Sequence, residues 1–324
     1  MKAKSLKITV IFLASIFLLG CSFDDEKSTS KLFENELKNN DVKVLNAISS
    51  PKKEVSILFV GDLMFDRYIR QVAEKKGNDF IFEKVTELLK NNDLVVANLE
   101  GPITDNESVS SETIPGEKGH LSFTFNRSLA ETLAKQNIKL VNIGNNHILN
   151  FQKNGLDQTE KYLMESDVEY FGDPIKIENN YLIKEINGIK IGFVSYNQFG
   201  EKIEATINNI KSIKDKVDIV VIYTHWGKEY EKTPINNIKN SAHSFVDAGA
   251  DLIIGSHPHV IQDIEEYKRK KIYYSLGNFI FDQYFNSETQ KGIAVEVKIN
   301  PDNKEMKFRE TQLFLERNGQ VLSN

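Results

Sequence analysis

The stretch Asp251-Leu-Ile-Ile-Gly-Ser-His-Pro-His-Val-Ile261 combines a short apolar run with two histidines that flank a proline. The run from Asp251 to Ile254 predicts a buried strand that ends at Gly255. Pro258 excludes a regular helix here and favours extended backbone at His257. In extended backbone, residues two apart project to the same side, so we expect both imidazoles to enter one cavity. Imidazole is the commonest metal ligand in proteins, although these residues alone also fit a surface loop with two incidental histidines.

The N-terminus has the order of an export signal. Lys2, Lys4 and Lys7 precede an apolar run at 8–19, which is too short to span a membrane and is followed by Gly20 and Cys21. Leu18-Leu19-Gly20-Cys21 resembles the bacterial lipobox, in which cleavage leaves a lipidated N-terminal cysteine. We therefore predict a lipoprotein signal peptide at 1–20, lipidation at Cys21, and a chain anchored on the extracytoplasmic face of the cell membrane.

The composition of the chain is typical of globular domains. The 324 residues are 40% hydrophobic and 27% charged. Residues 21–53 are polar and predict a flexible tether, 54–316 one folded domain, and 317–324 a C-terminal tail. Cys21 is the single cysteine, so no thiolate is left in the mature domain to bind a metal. The formal net charge of −5 argues against nucleic acid as a partner.

Apolar runs alternate with amphipathic segments along the domain, which predicts an α/β fold. Asn187-Gly188 between two apolar runs predicts a hairpin, so the sheet should be mixed. Strands are predicted at 55–60, 94–97, 139–143, 168–171, 181–186, 189–195, 218–223, 251–254, 271–281, 293–299 and 306–314. Helices are predicted at 79–90, 128–136, 155–165, 201–214 and 236–248.

Polar residues with ligand chemistry follow the carboxyl ends of five of these predicted strands. They are Asp62, Glu100, Asn146 with His147, His225, and His257 with His259. Ligands bind at this edge in open α/β sheets, so we expect these side chains to converge. Phosphate-binding loops, dinucleotide fingerprints, His-Glu-x-x-His helices and Gly-x-Ser-x-Gly turns are absent from the sequence.

Carboxylate and amide oxygens mixed with imidazoles suit two divalent cations such as Mn, Zn or Fe. A carboxylate such as Glu100 can bridge two ions about 3.5–4 Å apart, and such a pair activates water near neutral pH. Asn146 and His147 are adjacent, so one can bind metal while the other faces substrate. His120 is a possible substrate contact, and His243 is interpreted as a packing or surface residue.

Six motifs in order resemble the CapA family of capsule and poly-γ-glutamate synthesis, within the metallophosphoesterase-like superfamily. They are Gly61-Asp-Leu-Met64, Asn98-Leu-Glu100, Asn145-Asn-His147, His225-Trp-Gly-Lys-Glu-Tyr230, Gly255-Ser-His-Pro-His-Val-Ile-Gln262 and Tyr274-Ser-Leu-Gly-Asn-Phe279. The resemblance implies a four-layer α/β/β/α sandwich and a dinuclear metal site. It places Asp62 with His259 on one ion, Asn146, His225 and His257 on the other, Glu100 between them, and His147 as proton donor to the leaving group.

Three residues depart from the pattern. Met64 stands where the wider superfamily has a histidine ligand, Glu100 where it has a bridging aspartate, and Asn150 where CapA-like chains have an aspartate. The first two departures imply that one metal position is weak or empty.

Three functions remain open from the sequence. The first is a metal-dependent hydrolase or transferase that acts on the amide bonds of an anionic capsule polymer or its precursor. The second is a non-catalytic subunit that handles this polymer within a membrane synthase. The third is a surface phosphoesterase. Lys268-Arg-Lys-Lys271 offers a local basic patch for a polyanion, or simply a solvated turn.

Overall fold

The computed structural model describes residues 53–176 and 178–324. The predicted signal peptide, the predicted lipidation site Cys21 and the predicted tether up to residue 52 lie outside the described residues. Within them, no helix is long and apolar enough to cross a membrane.

The first sheet grows from β1 (Val55–Leu63), whose apolar residues are almost all buried. β2 (Leu94–Leu99), β3 (Ile138–Asn142) and β4 (Glu169–Phe171) extend it on one side in parallel. β12 (Lys291–Ile299), β13 (Met306–Leu315) and β14 (Val321–Ser323) extend it on the other side as antiparallel strands, and β11 (Asn278–Ile280) pairs with the end of β1. Residues 317–324, interpreted from sequence as a tail, thus include a paired strand.

Within the described residues, the second sheet has six strands. Asn187-Gly188 joins β5 (Tyr181–Ile186) to β6 (Ile189–Asn197) as the predicted hairpin. β7 (Ile219–His225), β8 (Leu252–Ser256) and β10 (Lys270–Tyr273) continue in parallel, and β9 (Ile264–Tyr267) closes the edge. Both sheets are therefore mixed, as predicted.

Three apolar clusters define the layers. One cluster joins residues of both sheets, such as Phe59 and Val96 with Phe193 and Val221, so the sheets pack face to face. The outer face of the first sheet packs on α1 (Arg67–Lys76), α2 (Asn78–Phe82), α3 (Thr86–Lys90), α4 (Ser128–Lys135) and α5 (Gln152–Glu165). The second sheet packs on α6 (Ile203–Ile213) and α7 (Asn236–Ala248). The four-layer α/β/β/α sandwich is confirmed.

The single helix predicted at 79–90 is wrong, because the chain forms α2 and α3 with a break between them. The Thr86 hydroxyl donates to the Phe82 carbonyl at 3.0 Å and so uses the acceptor that would continue the helix. Val85 instead donates its N–H to the same carbonyl at 2.9 Å, as in a tighter turn.

The single strand predicted at 271–281 also divides in two. β10 belongs to the second sheet, whereas β11 pairs with β1 of the first. Gly277 lies between them with φ +71°, a conformation that favours glycine. The chain therefore crosses from one sheet to the other beside the predicted site.

Candidate metal centre

The predicted ligand residues come from both sheets and meet at one edge. Asp62 lies near the end of β1, and Glu100 directly follows β2. Asn146 and His147 lie in the loop after β3, His225 ends β7, and His257 and His259 follow β8. Parallel strands place their carboxyl ends together, which brings residues 195 positions apart in sequence into contact.

Asp62 connects the first sheet to the His-Pro-His turn of the second. It is fully buried and accepts a hydrogen bond from Asn98 Nδ2 at 2.8 Å and one from the His257 backbone N–H at 3.1 Å. The pairing of β1 with β2 shifts register between Phe59 and Asp62. Such irregularities re-aim a side chain, and here the carboxylate faces the second sheet.

The His-Pro-His turn is not extended, so the backbone prediction for His257 is wrong. His257 has φ +94° and His259 φ +58°, both in a region that costs about 1–3 kcal/mol for a residue with a side chain. The hydrogen bond from His257 N–H to Asp62, and one from Tyr230 N–H to the Pro258 carbonyl at 2.8 Å, compensate for this. The imidazoles nevertheless share one cavity, with their centroids 5.8 Å apart.

His225 is fully buried beside His257, with ring centroids 4.7 Å apart. Its Nε2 lies 2.8 Å from Oδ1 of the exposed Asn146. These two atoms are therefore close enough to bind the same cation. Burial, followed by the neighbouring His257, holds the pKa of His225 well below its usual range.

His259 is oriented by Asn278. The Asn278 amide donates to the Thr289 carbonyl at 2.9 Å, which leaves its Oδ1 to accept from His259 Nδ1 at 3.0 Å. His259 Nε2 therefore carries a lone pair and lies 3.5 Å from Glu100 Oε1. A second partner that fixes the tautomer in this way is usual for imidazoles that bind metals.

Two buried atoms of this cluster lack any partner within the described residues: Glu100 Oε2 and His257 Nδ1. Burial, and next the charge of Asp62, raises the pKa of Glu100, while burial lowers the pKa of His257 to about 3. Buried polar atoms without a partner are unfavourable, and a bound cation would satisfy both of these. The donor atoms of Asp62, Glu100 and His225 lie within 4.8 Å of one another, as do those of Glu229, His257 and His259. These side chains fit metal ions.

His147 lies at the rim of this cluster, with Nε2 3.9 Å from Glu100 Oε1. Its Nδ1 donates to the Leu121 carbonyl at 3.1 Å, so the lone pair of the neutral ring is on Nε2 and points into the site. Burial, and next His259, lowers the pKa of His147 to about 4. At neutral pH the resting ring is a proton acceptor, and it can donate a proton only after gaining one during the reaction.

A cleft of about 650 Å³ opens beside the cluster. Glu100, His147 and His259 form its floor, and the loop at 111–121 forms one wall. Among its described lining residues Arg67 is the single lysine or arginine. Its guanidinium lies over the rings of Phe123 and Phe281 and pairs with Asp282.

The two remaining histidines differ in their position. His120 lies in the cleft wall, where its Nε2 is 2.9 Å from Arg67 Nη1. His243 stacks on Tyr267 and pairs with Glu265 at 2.7 Å, away from the site, which fits the packing or surface role predicted for it. The three lysines of the predicted basic patch pair with Asp247, Asp251 and Glu266, so most of the positive charge of this hairpin turn is balanced.

Comparison with known proteins places these motifs in a family. Residues 56–283 match the family described as bacterial capsule synthesis protein PGA_cap. The chain is a member of the PGA_cap family. It is 31% identical over 247 residues to the PGA biosynthesis protein CapA of Bacillus subtilis and 29% identical over 252 residues to the capsule biosynthesis protein CapA of Bacillus anthracis. Each match covers 71% of this chain, but only 64% and 61% of the respective relatives, so the chain spans less than two thirds of their length.

Two solved structures resemble the chain at low sequence identity. One is a putative 5'-nucleotidase from Staphylococcus aureus in complex with alpha-ketoglutarate, with a TM-score of 0.45, 12% identity, and coverage of 84% of this chain and 54% of that one. The other is TT1561 of Thermus thermophilus, with a TM-score of 0.44, 10% identity, and coverage of 79% and 99%.

Two of the departures noted in this PGA_cap chain have visible consequences. Met64 is fully buried in the outer core and its sulfur accepts the Asp66 N–H, so it does not face the metal cluster. Asn150 donates from Nδ2 to the Leu121 carbonyl at 2.7 Å, beside His147 Nδ1 at 3.3 Å. An amide nitrogen there cannot accept the His147 proton, which the carbonyl takes instead.

Sequence reasoning assigned no role to Glu229, Asn98 or Asn278, which all contribute to the centre. Asn98 donates to Asp62, and Asn278 orients His259. Glu229 places a carboxylate oxygen within 4.8 Å of the His257 and His259 ring nitrogens. The signal for all three was their position inside the family motifs, beside residues that had been assigned.

Proposed function

We propose that this PGA_cap member is a cell-surface lipoprotein of capsule or poly-γ-glutamate biosynthesis that acts as a metal-dependent hydrolase or transferase on amide bonds of the anionic polymer or its precursor. The observation that carries the proposal is the convergence of buried carboxylates and imidazoles, two of their atoms unpartnered, at the floor of an open cleft. Divalent cations held there supply Lewis acidity and a water activated near neutral pH.

Metal binding, polymer binding and proton transfer are assigned to different residues of the chain. Asp62, Glu100, Asn146, His225, His257 and His259 would hold the ions. The cleft would bind a polymer segment, and Arg67 is the one lysine or arginine among its described lining residues. His147, neutral at rest, would take up a proton through Nε2 and pass it to the leaving amine.

Purified protein loaded with Mn²⁺ or Zn²⁺ should cleave γ-glutamyl oligomers, with phosphoesters assayed in parallel. We expect His257→Ala to abolish turnover and His147→Ala to lower kcat by about 10²–10⁴-fold while metal content stays unchanged. Turnover of wild type no higher than that of His257→Ala on both substrate classes would contradict an enzymatic role.

A non-catalytic role within a membrane synthase is the second candidate, and the inward position of Met64 favours it, because a ligand position of the wider superfamily is lost. Complementation of a deletion strain separates the two candidates. Normal polymer from both His257→Ala and His147→Ala proteins would support the non-catalytic role, and loss of polymer with normal protein levels would support catalysis.

The proposed location depends on Cys21. Cys21→Ser should move the protein from the membrane fraction to the soluble extracytoplasmic fraction, because a lipidated cysteine is the anchor. Equal membrane retention of wild type and Cys21→Ser would contradict it.

A further inference from the structure

Arg67, the first residue of α1, lines the cleft and has a strained backbone. Its φ is +50°, a conformation that is unfavourable for a residue with a side chain. The buried Asp66 carboxylate holds it there, because one oxygen accepts the Arg67 N–H at 2.9 Å and the other accepts the Thr124 N–H at 2.8 Å. Backbone strain of this kind is concentrated at binding and active sites.

Two aromatic rings place the Arg67 guanidinium next to the metal centre. It lies 5.0 Å from the centroid of Phe123 and 5.5 Å from that of Phe281. Phe123 also packs on the ring of His147, with centroids 4.4 Å apart, and Phe281 packs on the ring of His259 at 4.8 Å. One ring therefore separates Arg67 from each of these histidines. A group bound to Arg67 would lie only a few bonds from an amide that reacts at the centre.

The guanidinium keeps donors that the described residues do not use. Arginine has five side-chain N–H groups. Within 53–176 and 178–324, the Arg67 side chain donates from Nη2 to Asp282 and from Nη1 to His120 Nε2 at 2.9 Å. Asp282 is itself fixed, because its other oxygen accepts the Tyr68 N–H at 3.2 Å, so it orients the guanidinium. Each Nη atom therefore has a second N–H for a ligand in the cleft.

His120 is the partner of Arg67 that a ligand could replace. Thr113 donates its hydroxyl to the Ser110 carbonyl at 2.7 Å, so the Thr113 oxygen accepts from His120 Nδ1 at 3.0 Å. His120 Nε2 then carries the lone pair that accepts from Arg67. Burial, and next the charge of Arg67, lowers the pKa of His120, which keeps the ring neutral at neutral pH. A carboxylate brings a full negative charge and can accept two parallel N–H bonds, which a neutral imidazole cannot.

The charge of the cleft limits the anion that fits to a single carboxylate. Arg67 is the single lysine or arginine among the described lining residues, whereas Glu117, Glu229 and Asp282 are acidic. A dianionic phosphate or a run of carboxylates would face like charge here. One carboxylate matches one guanidinium in both charge and geometry.

We propose that Arg67 is the substrate-recognition residue of this cleft and binds one free carboxylate beside the scissile bond, in the place that His120 occupies at rest. This inference rests on the proposed function and narrows its substrate. The unit recognised is a γ-glutamyl residue, whose free α-carboxylate lies a few bonds from the amide. The polymer is thus recognised at one residue and not along its length.

The test separates binding from turnover. Mn²⁺-loaded full-length protein that carries His147→Ala, which slows turnover, is titrated by calorimetry with a γ-glutamyl trimer and with an analogue whose α-carboxylates are amides. We expect the trimer to bind about 10–100-fold more tightly, the worth of a hydrogen bond to a charged group. Arg67→Lys should lose most of this preference, since an ammonium cannot form two parallel bonds. Arg67→Met with Asp282→Asn should lose all of it, and it leaves no unpaired charge.

The matched control is Arg127→Lys, which changes an exposed arginine outside the cleft and should keep the full preference. His120→Ala removes the competing acceptor and should bind the trimer at least as tightly as its parent. Circular dichroism confirms that each variant is folded. In protein with an intact His147, Arg67→Lys should raise KM for the trimer and leave KM for the analogue unchanged.

An equal preference for the trimer in the parent and in both Arg67 variants would overturn the assignment and leave the proposed hydrolase untouched. Failure of the parent to distinguish the trimer from the analogue, or to bind either, would overturn it as well. A preference that depends on Arg67, without turnover of any polymer amide by wild type, would contradict the proposed enzyme while the recognition residue would stand.

Discussion

Single residues of this protein are held in unusual states where they face the candidate metal centre. His257 adopts φ +94° because its N–H is taken by Asp62, and Phe199 packs on its ring with centroids 4.5 Å apart. Phe199 belongs to a short loop that Glu201 closes, through a hydrogen bond from Asn197 N–H to Glu201 Oε2 at 3.4 Å. The protonation state of Glu201 therefore affects the loop that carries Phe199, which packs on His257.

Glu201 should make stability depend on pH. Burial raises its pKa from 4.5 to about 7, so between these values the folded protein binds more protons than the unfolded chain. Stability from this group is therefore fully present below about pH 4.5 and is lost as pH rises to about 7. We expect Glu201→Gln to be more stable than wild type by about 1–3 kcal/mol at pH 8, with no difference at pH 4.

Urea unfolding at both pH values measures this difference. Glu204→Gln, which replaces an exposed glutamate in α6, is the control and should match wild type at each pH. A constant difference between Glu201→Gln and wild type across the range would show that proton binding is not its source.

At the scale of elements, β1 and the β10–β11 connection approach each other closely at the centre. Asp62 N–H donates to the Gly277 carbonyl at 3.2 Å, and a Cβ added to Gly61 would lie 1.8 Å from that oxygen. Neither backbone can retreat without moving Asp62 or Asn278. Gly61 and Gly277 therefore set the distance between the β10–β11 connection and β1, the strand that carries Asp62.

Gly61→Ala should destabilise the fold by more than about 3 kcal/mol and weaken metal binding, because overpacking here moves backbone rather than a flexible side chain. Thermal unfolding and metal content are the measurements. Gly200→Ala is the matched control, since its added Cβ would meet nothing closer than 3.7 Å. Similar unfolding temperatures for the two variants would contradict the close approach.

The sequence predicted most of the strands, because apolar runs of this length are typical of buried strands. It also predicted the edge at which the polar residues meet, because Asp, Asn and His follow the carboxyl ends of several of these runs. It could not predict the left-handed His257, whose conformation depends on an acceptor 195 residues away. The proximity of Glu229 to the histidines could not be predicted for the same reason, because it depends on a loop contact between Tyr230 and Pro258. Local patterns report burial and turns but not which distant atoms meet.

At the scale of the whole molecule, the terminal strand β14 contributes to the core. Val321 is fully buried in the outer core, and Gln320 Nε2 donates to the Phe80 carbonyl at 3.1 Å and to Glu83 Oε2 at 2.9 Å. These contacts fasten the end of the chain to α2, on the outer face of the first sheet.

Removal of residues 317–324 should lower the free energy of unfolding by about 2–4 kcal/mol, since burial of one large aliphatic side chain is worth about 1.5–3 kcal/mol and hydrogen bonds are lost with it. Chemical denaturation of the two forms measures this change. Deletion of Asn324 alone, an exposed residue, should leave the midpoint nearly unchanged. If the longer deletion also unfolds at the wild-type midpoint, β14 makes no contribution to stability.

The origin of the ligands in both sheets has a mechanical consequence. An ion bound by Asp62 and Glu100 of the first sheet and His225 of the second would link the two sheets and oppose their relative movement. Saturation at 100 times the dissociation constant should add about 2.7 kcal/mol to stability. A chelator should accelerate amide exchange in β1 and β8 together, although they belong to different sheets. Metal depletion in the cell would thereby lower the stability of the fold and make the protein more susceptible to proteases.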